Sequence, residues 1–281
     1  MKCVAFWAIV FLAGCNAPLP IPSGPNVPVG AARPEYVFET GFESDDWCAD
    51  FAPFAVPLNA RPTTLNVSPD SSAPAGRALN VTLRKGGHYG IYHLAYYFGW
   101  HHGEEPEEIY FRYYLRLASD FDPADTGKLP GFGGTYLRAG FGGIPSDGRN
   151  GWSARGLFGP LNTDGRIPIG SYVYHADMPG LYGDSWYWDV DGGGLERNRW
   201  YCIEQFVRMN TPGQNDGTLR AWVDDSQVFE RTDLRFRDTP ELKIEKVWLD
   251  AYYGGKVTAA RDHTLYFDEM VISREQIGMR K

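Results

Sequence analysis

Most of the chain after residue 35 alternates between short segments rich in Val, Ile, Tyr, Phe and Trp and turns rich in Gly, Pro and Asp. No long segment carries apolar residues at the spacing of a helix, whereas β-branched and aromatic residues between turn residues are typical of strands. The sequence therefore predicts strands and only short helices, the best helix candidate being residues 274–277. The predicted strands are residues 36–42, 77–84, 109–117, 134–141, 200–209, 218–223, 246–253 and 264–272.

Composition agrees with this fold class. Aromatic residues make up 15% of the chain, which also contains 33 Gly and 20 Pro. The 281 residues suit one all-β domain, because sandwiches of roughly 200–250 residues are common. We predict an all-β fold, a two-sheet antiparallel β-jelly-roll sandwich of the concanavalin-like type, formed by residues 35–281.

The charge of the chain excludes one class of function. The formal net charge is −8 at pH 7, whereas general nucleic-acid binding requires a basic surface. We therefore expect no nucleic-acid partner. A local basic groove that holds an acidic polymer remains compatible with this net charge.

The first residues have the pattern of an export signal. Met1 and Lys2 supply a positive start, and residues 3–13 form an apolar stretch too short to span a bilayer stably. The small residues before Cys15 resemble a bacterial lipoprotein signal, which implies cleavage after residue 14 and lipidation of Cys15. Several acyl chains hold a protein on a membrane essentially permanently. Residues 15–34 would then be the lipidated Cys and a Pro/Gly-rich tether.

The lipoprotein pattern also implies a location and limits the cysteine chemistry. The residue after Cys15 is Asn rather than Asp, which indicates the outer membrane of the cell envelope. Cys48 and Cys202 remain in a compartment that permits disulfides. A Cys48–Cys202 bridge and two separate free thiols both stay open. The Cys and His residues lack zinc spacing, and we predict no metal site and no cofactor.

The predicted strand 109–117 has two different faces. Its alternation places Phe111 and Tyr113 on an apolar face and Arg112 and Tyr114 on an aromatic and basic face. Such a face suits sugars that carry carboxylates, since rings stack on pyranoses and guanidinium groups pair with carboxylates. A solvated face with cation–π pairs is the alternative. The predicted substrate-binding residues are Arg112, Tyr114, Tyr136, Arg138 and Ser153.

Residues 127–174 contain the most informative set of polar side chains. Lys128 lies in a run of Gly and Pro, which predicts a corner of the backbone. Ser153 and Arg155 share one face of a strand, as do Tyr172 and Tyr174. If these faces converge, one pocket contains an ammonium, a guanidinium, a hydroxyl and two phenols.

These elements resemble those of the family 14 polysaccharide lyases, which include alginate lyases, and of their glucuronan-lyase relatives. The matching motifs are Gly-Lys-Leu-Pro-Gly at 127–131, Trp-Ser-Ala-Arg at 152–155 and Tyr-Val-Tyr at 172–174. The similarity spans about residues 36–273, and the resemblance implies a β-jelly roll. Weaker matches follow in order at residues 199–210, 216–224, 235–237 and 252–255.

The resemblance implies β-elimination on a uronate-containing polysaccharide. Arg155 matches the Arg that neutralises the uronate carboxylate, which makes the neighbouring C5 proton removable. Lys128, Tyr172 and Tyr174 match active-site positions that supply the base and the acid. We expect Lys128 or a Tyr to be the base and a Tyr to be the acid. Ser153 is expected to orient Arg155 or to bind the sugar.

Three alternative functions can be compared with the sequence. A non-catalytic carbohydrate-binding jelly roll would use the same aromatic and basic face. A glycoside hydrolase requires two carboxylates on the strands, and the sequence contains no such strand. A structural surface lipoprotein does not account for the ordered motifs. The sequence thus favours an exported, lipid-anchored lyase whose partners are an acidic polysaccharide and, through Cys15, a membrane.

Overall fold

The computed structural model describes residues 36–44, 47–53 and 65–280. The predicted signal peptide, Cys15 and the tether lie outside these residues. The described helix, α1 (Phe98–His102), is too short and too polar to cross a membrane. The strands are β1 (Tyr36–Thr40), β2 (Ala52–Pro53), β3 (Leu65–Pro69), β4 (Arg77–Leu83), β5 (Tyr89–Tyr97), β6 (Glu108–Leu117), β7 (Gly127–Gly134), β8 (Trp152–Phe158), β9 (Ile169–Tyr174), β10 (Asp184–Tyr187), β11 (Trp200–Arg208), β12 (Gly217–Val223), β13 (Ser226–Leu234), β14 (Lys246–Tyr253) and β15 (His263–Ser273).

The described strands form two antiparallel sheets, as predicted. One sheet has the order β13-β12-β11-β6-β15-β4-β3, with β1 also paired to β15. The other has the order β10-β9-β8-β7-β14-β5-β2. Strands distant in sequence lie side by side, as in β15 beside β6 and β14 beside β7. These crossovers confirm the jelly-roll sandwich.

The core lies between the two sheets and is built by alternation along the strands. In β6, Phe111, Tyr113 and Leu115 are fully buried. Phe111 meets Phe132 of the other sheet edge-on, with ring centroids 6.1 Å apart. Burying a side chain of this size contributes about 1.5–3 kcal/mol. Because one face of each strand packs into the core, the opposite face of the seven-stranded sheet carries side chains that are not part of this core.

Two of the predicted elements are wrong. The strand predicted at 134–141 is a turn, because Tyr136 and Leu137 both adopt positive φ, at 46° and 60°, which ends the extended backbone after β7. The helix predicted at 274–277 does not form. There the Glu204 carboxylate accepts hydrogen bonds from the N–H groups of Ile277 and Gly278, both at 2.8 Å, which fixes an irregular backbone.

Cys48 and Cys202 are both free thiols, so the structure supports the second interpretation of these residues. Cys202 is buried in β11, where its Sγ lies 4.0 Å from the carbonyl oxygen of Gly278. Burial raises the pKa of the Cys202 thiol to about 12, whereas the thiolate is the reactive form.

We expect the two thiols to react at very different rates in the native protein. At pH 8 a maleimide should modify the half-buried Cys48 and leave Cys202 largely unmodified, while both should react in denaturant. Peptide mapping by mass spectrometry after timed labelling measures this. A Cys48–Cys202 peptide that appears only without reductant would contradict the free-thiol assignment.

Candidate active site

The outer face of the seven-stranded sheet brings together side chains from four adjacent strands. Arg155 of β8 lies opposite Tyr172 of β9 in the strand register. Lys128 of β7 lies opposite Tyr252 of β14. The residues that alternate with them along β8 and β9 belong to the core. Because successive side chains of a strand point to opposite faces, the side chains of these site residues point away from the core. The structure thus brings together Lys128, Arg155, Tyr172 and Tyr174, the four residues predicted to be catalytic.

The Gly-Lys-Leu-Pro-Gly motif has a structural cause. Lys128 lies within a strand rather than at a corner, and the β7–β8 register shifts between Leu129 and Gly131. A Cβ atom on Gly131 would lie 2.4 Å from the backbone oxygen of Ala154, so the close approach of β8 requires glycine. Pro130 lies at this irregularity, and its carbonyl accepts a hydrogen bond of 3.0 Å from the core residue Gln205.

Arg155 provides a buried cation at the centre of the site. Its side chain is held between aromatic groups, with Cζ 5.1 Å from the Trp248 ring centroid and 5.6 Å from that of Tyr172. Nη1 donates a hydrogen bond to the Tyr252 hydroxyl. Its buried Nε has no hydrogen-bond partner among the described residues. A guanidinium in this state is suited to binding a carboxylate.

Lys128 provides an amine that loses its proton near neutral pH. Its Nζ lies 3.6 Å from the Tyr172 ring centroid, and the residue is only 8% exposed. Burial and the neighbouring Arg155 lower the pKa of Lys128 to about 7. A substantial fraction of the amine is therefore neutral at pH 7, as a general base requires.

The two phenols of β9 are each held by a backbone N–H group. The Tyr172 hydroxyl accepts a hydrogen bond of 3.1 Å from Gly183, and the Tyr174 hydroxyl accepts one of 3.2 Å from Gly143. Their rings meet edge-on with centroids 5.6 Å apart. Burial and the hydrogen bond with Tyr174 raise the pKa of Tyr172. Tyr172 therefore keeps its proton at neutral pH, which suits a proton donor.

Ser153 makes a different contact from the one that we expected. It is completely buried, and its Oγ donates a hydrogen bond of 2.6 Å to the carbonyl oxygen of Gly140. That contact ties β8 to the turn that includes Gly143, whose N–H group holds Tyr174. Ser153 thus supports the wall of the site, and its hydroxyl donates to Gly140 rather than contacting Arg155.

Arg112 and Tyr114 lie in β6 of the other sheet, so the structure does not bring them to this site. The predicted aromatic and basic face is covered by the end of the chain. Arg112 donates to the carbonyl of Gly278 and to Glu269, and the Tyr114 hydroxyl accepts from the N–H group of Arg280. Both residues are buried. The prediction that they form an open sugar-binding face is wrong.

Tyr136 and Arg138 lie in the turn after β7. The Tyr136 hydroxyl donates to the carboxylate of Glu105 and accepts from the N–H group of Lys243 at 3.0 Å. Its phenol is thereby engaged within the protein. Arg138 is exposed on the turn. Because the segment is a turn, the two side chains do not share one face of a strand as the predicted strand would have placed them.

Sequence reasoning missed Trp248 and Tyr252 of β14, which contact Arg155. The sequence did place these two residues on one face of a strand, because residues 246–253 were predicted as a strand and its even-numbered positions share a face. Which sheet this strand joins is a long-range property that local alternation does not supply. No group of three or more His, Cys, Asp or Glu side chains in the described ranges is arranged to hold a metal ion.

Several solved structures share this fold. Alginate lyase Aly36B, in a mutant with one Lys and one Tyr changed to Ala and in complex with alginate tetrasaccharide, is 23% identical over 72% of this chain and 82% of its own, with a TM-score of 0.59. The marine PL-14 alginate lyase from Aplysia kurodai is 21% identical over 74% and 86%, with a TM-score of 0.55. The endo-β-1,4-glucuronan lyase from the fungus Trichoderma reesei is 14% identical over 75% and 87%, with a TM-score of 0.50.

Sequence comparison identifies the family. No protein with a curated description matches the chain. Residues 73–270 match the family model Polysaccharide lyase 14, a span that includes all four residues brought together on the outer face and well over half of the chain. The chain belongs to the polysaccharide lyase 14 family.

Proposed function

We propose that this polysaccharide lyase cleaves a uronate-containing polysaccharide of the alginate or glucuronan type by β-elimination. The observation that carries the proposal is a Lys128 amine of lowered pKa packed on Tyr172 beside the buried guanidinium of Arg155. The similar folds of alginate and glucuronan lyases support the substrate class. We infer that this arrangement supplies a base, an acid and a carboxylate-binding cation on one sheet face.

In the proposed reaction each of these groups has one role. Arg155 binds the uronate carboxylate and stabilises the negative charge that develops on it. Neutral Lys128 removes the C5 proton, the electrons of the C5–H bond form the C4–C5 double bond, and the C4–O4 bond breaks. A phenol transfers its proton to the departing O4. The products are a new reducing end with a hydroxyl and a fragment that begins with an unsaturated uronate, so that no water is consumed.

We assign the base to Lys128 and the acid to Tyr172, and their pKa values support this assignment. Lys128, with a pKa of about 7, is the base, because an amine of ordinary pKa would stay protonated at neutral pH. Tyr172, whose pKa is raised mainly by burial, is the acid. Tyr174, held by Gly143 and packed edge-on against Tyr172, positions that phenol.

Ultraviolet absorbance of the unsaturated uronate tests the proposal directly. We expect absorbance to rise with alginate or glucuronan and to stay flat with a neutral glucan. Tyr172→Phe should reduce kcat on the active polymer by about 10²–10⁴, the typical contribution of a positioned acid. Binding of a polyuronate without any product would contradict the lyase assignment. Wild-type turnover by Tyr172→Phe would remove Tyr172 from the role of acid.

For the N-terminal region we propose lipidation of Cys15 and attachment to the bacterial cell envelope at the outer membrane, with residues 1–14 removed. The proposal is supported by the apolar stretch 3–13 and the small residues that precede Cys15. Expression with a radiolabelled fatty acid should label the wild-type protein and not Cys15→Ser. Equal labelling of both proteins, or label in neither, would contradict the anchor.

A further inference from the structure

Trp100 is a large aromatic side chain that the proposed chemistry does not use. It is 72% exposed, although a buried indole contributes substantially to the stability of a fold. One exposed apolar residue is common on protein surfaces. Trp100 differs from such a residue because one face of its ring packs on another aromatic ring. It stacks on Tyr97 with centroids 4.5 Å apart and an interplanar angle of 21°.

The short helix α1 fixes the position of the indole. Phe98 at the start of the helix is buried in the core. The Nε2 atom of His102, at the end of the helix, lies 2.8 Å from the hydroxyl oxygen of Tyr96. His101 stacks on the Tyr96 ring with centroids 4.3 Å apart. The residues around Trp100 are thus anchored, while the indole itself faces outward. A ring held in this way loses little conformational entropy when a ligand stacks on it.

The supporting ring belongs to the face that holds the active site. Alternation places Tyr96 in the main core, whereas Tyr97 packs with Ala95 and Trp248 in a separate cluster. The Lys246 Nζ lies 5.0 Å from the Tyr97 ring centroid and 4.7 Å from that of Trp248.

The contacts continue without a break to the catalytic residues. Trp248 is also the ring beneath Arg155, at 5.1 Å, and Arg155 lies 5.6 Å from the ring centroid of Tyr172. Rings and cations therefore alternate across the sheet from Tyr97, on which Trp100 stacks, to Lys128. From β5 to β8, the strand that contains Arg155, the path crosses three strand steps of about 4.8 Å each, or roughly 14 Å in total. This length exceeds what one sugar unit at Arg155 occupies.

We propose that the exposed face of Trp100 is a distal subsite on which a pyranose ring of the same polyuronate chain stacks. The inference rests on the proposed function, since it takes the polymer cleaved at Lys128 and Arg155 as the occupant. The apolar C–H face of a pyranose packs on an indole, as sugars do on aromatic faces. Lys246 is already paired with Glu245 at 3.1 Å, so Arg155 and Lys128 at the other end of the path are the cations that favour a chain carrying carboxylates.

The subsite makes a prediction about substrate length. Only a chain long enough to extend from Arg155 to Trp100 gains the stacking contact. Removal of the indole should therefore weaken the binding of long substrates more than the binding of short ones. We expect Trp100→Ala to raise KM for the polymer about five- to tenfold, equivalent to about 1–1.4 kcal/mol of binding free energy. The ratio of mutant to wild-type KM should fall as the oligosaccharide is shortened.

The experiment compares purified full-length protein and its variants on the polymer and on size-fractionated oligosaccharides down to the shortest one cleaved. Trp100→Phe retains a ring and should recover most of the polymer affinity. Trp200→Ala is the control, because it removes a half-buried Trp from the other sheet, where it packs on Arg116 at 5.1 Å. A melting curve of each variant verifies folding.

The outcomes separate this inference from the proposed function. If the wild-type protein cleaves a polyuronate and Trp100→Ala changes KM by the same factor for every substrate length, the distal subsite is wrong while the lyase assignment stands. If the wild-type protein cleaves no polyuronate, the proposed substrate is wrong. Calorimetric titration of Lys128→Met with the same oligosaccharides provides a second readout without turnover. There the affinity lost on adding Trp100→Ala should also increase with length.

Discussion

Replacing Lys128 by Met is expected to abolish turnover and to raise the melting temperature of the protein. The amine is only 8% exposed and lies beside the cationic Arg155, and these two effects lower its pKa to about 7. The folded state therefore carries the cost of a desolvated charge that the proposed reaction uses and the fold does not need. Met has a similar length and no charge, so it should fill the space without that cost. Functional sites commonly show this exchange between stability and activity.

The pH dependence of this stabilisation has a defined sign. Below pH 7 the amine is protonated in both the folded and the unfolded chain, and the folded state bears the full cost. Between pH 7 and the ordinary pKa of 10.5 the unfolded chain binds more protons, so the stability of the wild-type protein rises with pH relative to the variant. The advantage of Lys128→Met should thus be largest below pH 7 and vanish above about pH 10.5.

Thermal unfolding of both proteins across this pH range measures the effect. A difference of about 2 kcal/mol would raise the melting temperature by roughly 4–8 °C in a domain of this size. Lys128→Arg is the matched control, because it keeps a charge that cannot be removed near neutral pH. It should lose turnover without the stabilisation. Turnover by Lys128→Arg close to that of the wild-type protein would show that the group acts as a cation and not as a base.

The strands that follow ordinary β propensity could be predicted from the sequence. Residues 246–253 coincide with β14, and 200–209 differ from β11 by one residue. In these segments aromatic and β-branched residues lie between clear turn residues, so local and tertiary preferences agree. The two-sheet sandwich follows from many such segments in one chain.

Strand β7 could not be recognised as a strand, although its motif was. It contains Pro130 and several Gly residues, which are depleted in strands. These residues are present because β8 approaches so closely that a Cβ on Gly131 would meet the Ala154 backbone. The position of Lys128 therefore depends on a neighbouring strand that local sequence does not reveal.

The error at Arg112 has the opposite origin. The alternation in β6 was correct, since Phe111 and Tyr113 face the core and Arg112 and Tyr114 face away from it. The outer face is nevertheless covered by residues 278–280, which are more than 150 residues away in sequence. Local periodicity gives the two faces of a strand, whereas only tertiary structure decides which face stays open.

Replacing Arg155 by Met is the second change for which we expect a large effect. The variant removes the guanidinium that would stabilise charge on the uronate carboxylate, a contribution of about 10²–10³ in kcat for a positioned donor. Because that charge develops in the transition state, kcat should fall more than affinity does. An unchanged kcat with a raised KM would instead assign Arg155 to substrate binding alone.

The same variant tests the electrostatic coupling between the two cations. Arg155 contributes to the lowered pKa of Lys128, second only to burial, so its removal should raise that pKa. We expect the pH at which kcat/KM reaches half of its plateau to lie near 7 in the wild-type enzyme, because Lys128, with a pKa of about 7, would be the titrating base of the free enzyme. It should move to higher pH in the residual activity of Arg155→Met.

Arg155→Lys separates charge from geometry in this experiment. It keeps the positive charge beside Lys128 but loses the planar fork that pairs with a carboxylate and with Tyr252. We therefore expect a reduced kcat with a pH midpoint close to that of the wild-type enzyme. A midpoint that is identical in Arg155→Met and the wild-type enzyme would show that burial alone lowers the Lys128 pKa. In that case the two cations act independently, one on the proton and the other on the carboxylate.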